Sequence, residues 1–343
     1  MKRSRSVRRL VGCILACAGL VGCATATGVG GGHEAAAVIV DPPAPAGART
    51  LLIAMPSSPT FLDVRKSLVS ELGRSFRIET FVVVSSTTPD EIGNAVARAK
   101  PACVVLMNNA TMGLVSAYEH AHPDRAVPPT VLLMASLIEG VQPTLKNSTG
   151  IAYEVPGVTA FVNLRAIVNI PIRRVGVAFR PALRRFVERQ RVLATTEKIQ
   201  LVPIAVPNDV TAEGLRDALE SLVKDGHVDA IWMLNDNALV RDARFRDDAW
   251  RVALGDRLPL IVGAANLVNP ASPLGTIAVV PDHEALGLQA ANLIFELADD
   301  GWKVQSHPTE LPLSVKTVVD IRSARDHFGL RVEALKHIDR PME

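Results

Sequence analysis

From Arg49 onward, short β-branched apolar runs alternate with stretches whose apolar residues recur every three or four positions. The runs predict strands at Leu51–Met55, Ile78–Val84, Ala102–Met107 and Thr130–Met134. Between the first two lies a helix whose Phe61, Val64, Leu68 and Leu72 share one face. Thr88-Pro89-Asp90-Glu91 combines a capping box with proline at the first helical position, a helix start. Another helix is expected near Thr111–His120. After Gly150 the pattern restarts, with strands at Arg174–Phe179, Gln200–Val206, Val228–Leu234 and Leu258–Gly263. Helices near 182–196, 211–224 and 239–254 separate them, and Leu215, Ala218, Leu219 and Leu222 line one side of the second. Continuous apolar strands alternating with amphipathic helices imply parallel sheets covered on both faces. Two such runs of similar size predict an α/β protein of two doubly wound parallel-sheet lobes.

The beginning of the chain has a different pattern. Lys2, Arg3, Arg5, Arg8 and Arg9 precede an uninterrupted apolar and small-residue run from Leu10 to Gly22. That run is short for a membrane span and right for a signal peptide. Leu20-Val21-Gly22-Cys23 closes it and resembles the lipobox of bacterial lipoproteins. The resemblance implies cleavage after residue 22 and acylation of Cys23; an ordinary secretory signal with an incidental cysteine is the alternative. Residues 23–48 are rich in Ala, Gly and Pro and read as a flexible tether. Gly28–Gly32 lacks the strand, helix and Lys-Ser/Thr pair that a phosphate loop needs.

Removing the leader changes the charge picture. Five of the 37 Lys and Arg residues leave with it and none of the 35 acids, so 32 bases face 35 acids, a net of −3. No basic stripe remains for nucleic acid. Of four cysteines only Cys103 stays in the folded body, so no internal disulfide forms and Cys103 reads as a buried small hydrophobe.

Three stretches of the C-terminal half carry a family resemblance. They are Ile172-Arg173-Arg174-Val175-Gly176-Val177 with Arg180-Pro181, then Asp229–Leu234 with Leu258–Gly263, and an ending of Leu311-Pro312-Leu313, Val318-Val319-Asp320-Ile321, Ala324 and Phe328-Gly329-Leu330. This order and spacing resembles the ABC-transporter substrate-binding proteins related to tryptophan- and tyrosine-binding lipoproteins. Asp320 stands where that family usually has Asn. The likeness covers residues 148–332, and 50–147 by pattern alone. It implies the type I periplasmic-binding fold, with a hinge and an interlobe cleft. It assigns 49–150 plus about 266–302 to the first lobe, and 151–265 plus about 303–332 to the second. Asn108-Asn109-Ala110-Thr111 and Ser136-Leu137-Ile138-Glu139 depart from the family's turns, so its aromatic amino-acid specificity does not carry over.

Ligands of open α/β sheets bind beyond the carboxyl ends of the strands, which selects the candidate contacts. Ser57 and Ser58 follow the first strand and suit an anion or simple helix capping. Asn108, Asn109 and Thr111 end the third, where turn chemistry is the alternative, and Ser136 ends the fourth. Tyr153, in a chain where aromatics are scarce at 4%, suits ligand stacking or a core or hinge role. Arg180 suits an acid group, solvent or a bridge between lobes. Asp236 suits an ammonium group or a helix N-cap, and Asn266 is the last candidate.

The expected function is a lipid-anchored extracytoplasmic solute receptor of an ABC permease, monomeric, taking a small polar solute such as an amino acid. A sensor or regulatory envelope lipoprotein of the same fold is the alternative. No nucleophile elbow, Cys/His pair or paired-histidine motif points to an enzyme, and no cofactor or metal is expected. His120 and His122 do not have metal spacing.

Overall fold

The structure, a computed structural model, describes residues 38–40, 44–240, 242–269 and 274–343. The expected leader and the expected acylation of Cys23 fall on residues outside the described ones.

Two sheets organise the chain. The first lobe contains β1 (Val38–Val40), β2 (Thr50–Met55), β3 (Arg77–Val82), β4 (Cys103–Met107), β5 (Thr130–Leu133) and β6 (Ser148–Gly150). Their order is β1-β3-β2-β4-β5-β6. All neighbours are parallel except β1 on β3. The period of two sorts the side chains: Leu51, Ile53 and Met55 enter one core, Leu52 and Ala54 the other. Cys103 is fully buried, and burial pushes its thiol up to about 12. Helices α1 (Pro59–Leu72), α2 (Pro89–Ala99), α3 (Asn109–Ala121) and the short α4 (Ile138–Val141) connect these strands.

The capping box of α2 forms as predicted: Thr88 Oγ1 accepts from the Glu91 N–H, and Glu91 Oε2 accepts from the Thr88 N–H at 2.7 Å. Thr88→Ala is expected to cost about 1 kcal/mol in urea unfolding, with m unchanged.

After α5 (Gly157–Ile167) the second lobe is built on β7 (Arg174–Phe179), β8 (Gln200–Ala205), β9 (Ala230–Trp232), β10 (Leu260–Val262), β11 (Ile277–Pro281), β12 (Val315–Asp320) and β13 (Arg340–Met342). They lie in the order β13-β12-β11-β10-β9-β7-β8. Its helices are α6 (Arg184–Thr195), α7 (Ala212–Lys224), α8 (Val252–Leu254) and α10 (Ile321–Phe328). A wide helix, Arg244–Arg251, runs into α8, so the continuous helix expected over 239–254 is broken. Asp320 caps α10 by accepting from the Ser323 N–H at 3.0 Å. That is a role asparagine fills equally well.

Several expectations are corrected here. The sheets are mostly parallel, not wholly so, because β12 runs antiparallel to β11. The tether expected over 23–48 ends earlier, since Val38-Ile39-Val40 adds an edge strand to β3; a β-branched triplet suits such an edge. The lobe boundaries also move. Ile277–Pro281 pairs with β10, so this part of the 266–302 segment belongs to the second lobe. Only α9 (His283–Asp299) returns to the first lobe, where Leu286, Ala290 and Ile294 join its core. Gly287 allows the close approach of α1, because a Cβ there would meet the Val64 carbonyl at 2.6 Å. Residues 303–310 stay with the first lobe: Val304 is in its core, and Thr149 Oγ1 donates to the His307 carbonyl at 2.6 Å.

The chain therefore crosses between lobes three times, near 151–156, 281–283 and 310–315, and the crossings run side by side. Ala152 N–H donates to the Glu310 carbonyl at 2.9 Å, and Asp282 N–H to Ser314 at 3.0 Å. Gln289 holds the third crossing to α9 through Glu310, Leu311 and Leu313.

Candidate functional site: the interlobe cavity

The first crossing places Tyr153 and Glu154 at the junction, and both lobes supply the walls around them. The first lobe gives Leu137; the second gives Phe186, Trp232, Met233, Asn235 and Gly263. Trp232 ends β9 in a T-shaped contact with Phe161, centroids 5.4 Å apart, and Phe186 packs on it at 6.1 Å. Gly263 makes room for Asn235, whose amide would lie 2.2 Å from a Cβ at that position. The cavity is about 20 Å³, room for roughly one water-sized group.

Glu154 connects the walls. Its Oε1 accepts from the Leu137 N–H of the first lobe at 2.7 Å, and its carboxylate accepts from the Asn235 amide of the second. Burial pushes this carboxyl up to about 7, with Glu139 adding like-charge repulsion and these hydrogen bonds opposing. Glu139 itself pairs across the rim with Arg189 of α6. Tyr153 hydrogen-bonds His283 Nε2 through its hydroxyl at 3.0 Å and stacks on the imidazole. Burial pushes the Tyr153 phenol up to about 12 and holds the His283 imidazole below its ordinary range.

Of the residues proposed from sequence, only Tyr153 lines this cavity, and its hydroxyl is taken by His283. Ser57 and Ser58 are exposed; Ser58 precedes α1 without a side-chain cap bond. Asn108 does turn chemistry, its Oδ1 accepting from the Thr111 N–H at 2.9 Å with φ at +74°. Thr111 is buried. Asn109 and Ser136 hold each other: the Asn109 amide donates to the Ser136 carbonyl at 2.7 Å and accepts from its N–H at 2.8 Å. Asn266 is exposed in the turn Ala265–Val268.

Arg180 and Asp236 also choose each other. Arg180 Nε donates to Asp236 Oδ2 at 2.6 Å and Nη2 to Oδ1 at 2.8 Å. Asp236 further caps the next turn by accepting from the Ala238 N–H. The ammonium partnership proposed for Asp236 is thus already filled by a guanidinium, as strand ends β7 and β9 are neighbours.

Sequence reasoning passed over Glu154, Asn235, Trp232 and Phe186. Trp232 had a signal, being one of three tryptophans and lying within the apolar run that ends at Leu234. Phe186 had none, because it comes to the site from the first turn of a helix, α6, and not from a strand end.

No protein-family model matches the sequence, and no curated protein does. Solved structures do match. An ABC domain from Streptococcus pneumonia in complex with L-Trp is 16% identical, with a TM-score of 0.55 over 86% of this chain and 100% of that one. CD0873 of Clostridium difficile, a substrate binding protein with adhesive properties in its ligand-free, open structure, is 14% identical with a TM-score of 0.59, covering 86% and 96%. A conserved domain protein of Vibrio cholerae gives 14% and 0.58, covering 86% and 99%. The chain has the type I periplasmic-binding-protein fold. At these identities the likeness establishes architecture alone, two α/β lobes, and says nothing of function.

Proposed function

We propose that this protein is a solute-binding protein of an ABC transporter, anchored outside the cytoplasm through Cys23, that closes its two lobes on a small solute. One observation carries the reading. A buried carboxylate at the hinge is held by one lobe's backbone and the other lobe's amide, inside a cavity that both lobes complete. A clamp whose lobes separate would expose that carboxylate and amide together with Trp232 and Phe186. Those groups suit an amino acid with an apolar body: the aromatic faces take the side chain, and Glu154 accepts from the ammonium. The S. pneumonia structure holds such a solute. A cavity of about 20 Å³ is far below the few hundred Å³ of a solute pocket, so uptake requires the lobes to part.

The test is a thermal-shift screen of the purified protein against the amino acids and other small metabolites, followed by tryptophan fluorescence. The expected result is a rise in melting temperature with one solute class. Binding should change the emission, and Trp232→Ala should remove both responses. A panel that shifts nothing while CD shows a folded protein overturns the reading. For the anchor, Cys23→Ala should move the protein from the membrane fraction to the soluble one.

A further inference from the structure

The second lobe has a cavity of its own, and β10 runs from it to the interlobe junction. Leu260 at the start of that strand lines the first, whereas Gly263, just past its end, lines the interlobe cavity. The wide helix Arg244–Arg251, α8 and α10 supply walls through Trp250, Leu254 and Phe328, and Leu258 and Leu274 complete the apolar lining. The volume is about 400 Å³, within the range that takes a small organic molecule.

Asp320 lines this cavity and is only 6% exposed. Side chains alternate along β12, so Asp320 shares the face of Val318, which packs in one core with Trp250 and Leu254. Its Oδ1 accepts from the Ser323 N–H at 3.0 Å and caps α10. Its Oδ2 has no hydrogen-bond partner among the described residues and is not walled in, so it stays open to the cavity. Capping does not need the charge, since asparagine caps equally well. A carboxylate buried this far without a second partner is costly, and such a group in an apolar pocket is the usual means of orienting a small ligand.

The other charges of the lining offset one another. Asp256 and Asp326 stand with Arg251 and Arg322, Arg251 is paired with Asp247, and His327 Nε2 lies 3.6 Å from Asp256. Among the described residues no cation pairs with Asp320, so its charge is the one left for an occupant. A carboxylate only accepts, so that occupant must donate, and an ionised donor makes the stronger bond. The rest of the lining asks for hydrocarbon. We propose that this cavity is a second ligand site, for a primary amine with an apolar body: the ammonium sits on Asp320 Oδ2 and the body against Leu254, Leu258 and Leu274. The site is independent of the interlobe cavity, and its test leaves the solute-receptor reading untouched.

The probe is 2-phenylethylamine at neutral pH, with 2-phenylethanol and 3-phenylpropionate as controls, titrated into protein labelled on Ile, Leu and Val methyl groups. A ligand of about nine heavy atoms reaches roughly millimolar affinity, so NMR shifts are the suitable readout. The amine is expected to shift the methyls of Leu254, Leu258 and Leu274 saturably. The alcohol should need roughly ten-fold more, and the carboxylate should leave them in place. Asp320→Asn keeps the α10 cap and should weaken the amine roughly ten-fold or more. The methyls of Leu137 and Val155 report the interlobe cavity, so binding there is read separately. The proposal falls if the amine leaves Leu254, Leu258 and Leu274 unmoved, or if the alcohol shifts them equally well, which is the result for a merely greasy cavity. It falls too if Asp320→Asn binds the amine like the parent protein.

Discussion

Glu154→Gln should be more stable than the parent protein at pH 8 and equal to it near pH 4. The carboxyl of Glu154 titrates near 4.5 in an unfolded chain and about 7 in the folded one, chiefly because burial disfavours its charge. Between those values the folded protein keeps a proton that the unfolded chain has released. Stability contributed by this group is therefore complete at low pH and lost as pH rises through 7. The displacement corresponds to up to about 3 kcal/mol. Glutamine imitates the protonated acid: its carbonyl accepts from the Leu137 N–H, and its amide can pair with Asn235. Urea midpoints of both proteins at steps from pH 4 to pH 8 should diverge upward for Glu154→Gln. Parallel curves would show that the carboxyl is as well solvated in the fold as outside it. In the parent protein a cationic group from a solute would relieve the same penalty, so ligand affinity should rise as pH passes 7 and Glu154→Gln should lose that rise.

The second large effect is at Arg180. Asp236 is 4% exposed, and the bidentate Arg180 pair neutralises it. Arg180→Ala leaves that carboxylate buried with only the Ala238 N–H, at a cost of about 3 kcal/mol. Arg180→Lys should recover only part, since an ammonium cannot make both parallel bonds. Arg180→Ala combined with Asp236→Asn should be more stable than Arg180→Ala alone, because the uncompensated charge is gone. Equilibrium urea unfolding decides it; a loss below about 1 kcal/mol for Arg180→Ala would falsify the pairing as a stability element. The pair also bears on function. Asn235 directly precedes Asp236, so loosening this strand end should weaken solute binding through the Asn235–Glu154 bond.

How much of this was legible in the sequence differs from element to element. After an opening threonine in β2 and β5, the β2, β4 and β5 runs are continuously apolar because helices cover both faces, and that is visible without coordinates. The Thr88 box was equally plain, since a cap depends on residues three positions apart. β11 was harder. Ile277–Pro281 has the composition of a buried strand, but which sheet it joins depends on β10, fifteen residues earlier, and on the return of α9 to the other lobe. Edge strands β1 and β13, three residues each, carry too short a pattern to declare themselves.

The site followed the same division. Residue chemistry near strand ends was enough to pick out Asn108, Asn109, Ser136, Arg180 and Asp236, and all five do take part in polar contacts there. Four of them, however, have one another as partners, and Asn108 turns to the Thr111 N–H of its own helix. Asn109 closes on Ser136 and Arg180 on Asp236 because parallel neighbours bring their ends within hydrogen-bonding reach, a fact of pairing order rather than of composition.

What the sequence determined by itself was local: alternation, caps, the apolar runs, and so the two α/β lobes, since these depend on interactions within a few residues. What the tertiary structure decided was which strand ends meet. It gave the cavity Glu154 and Asn235 in place of Asp236, because the environment of a buried charge is set by groups distant in the chain.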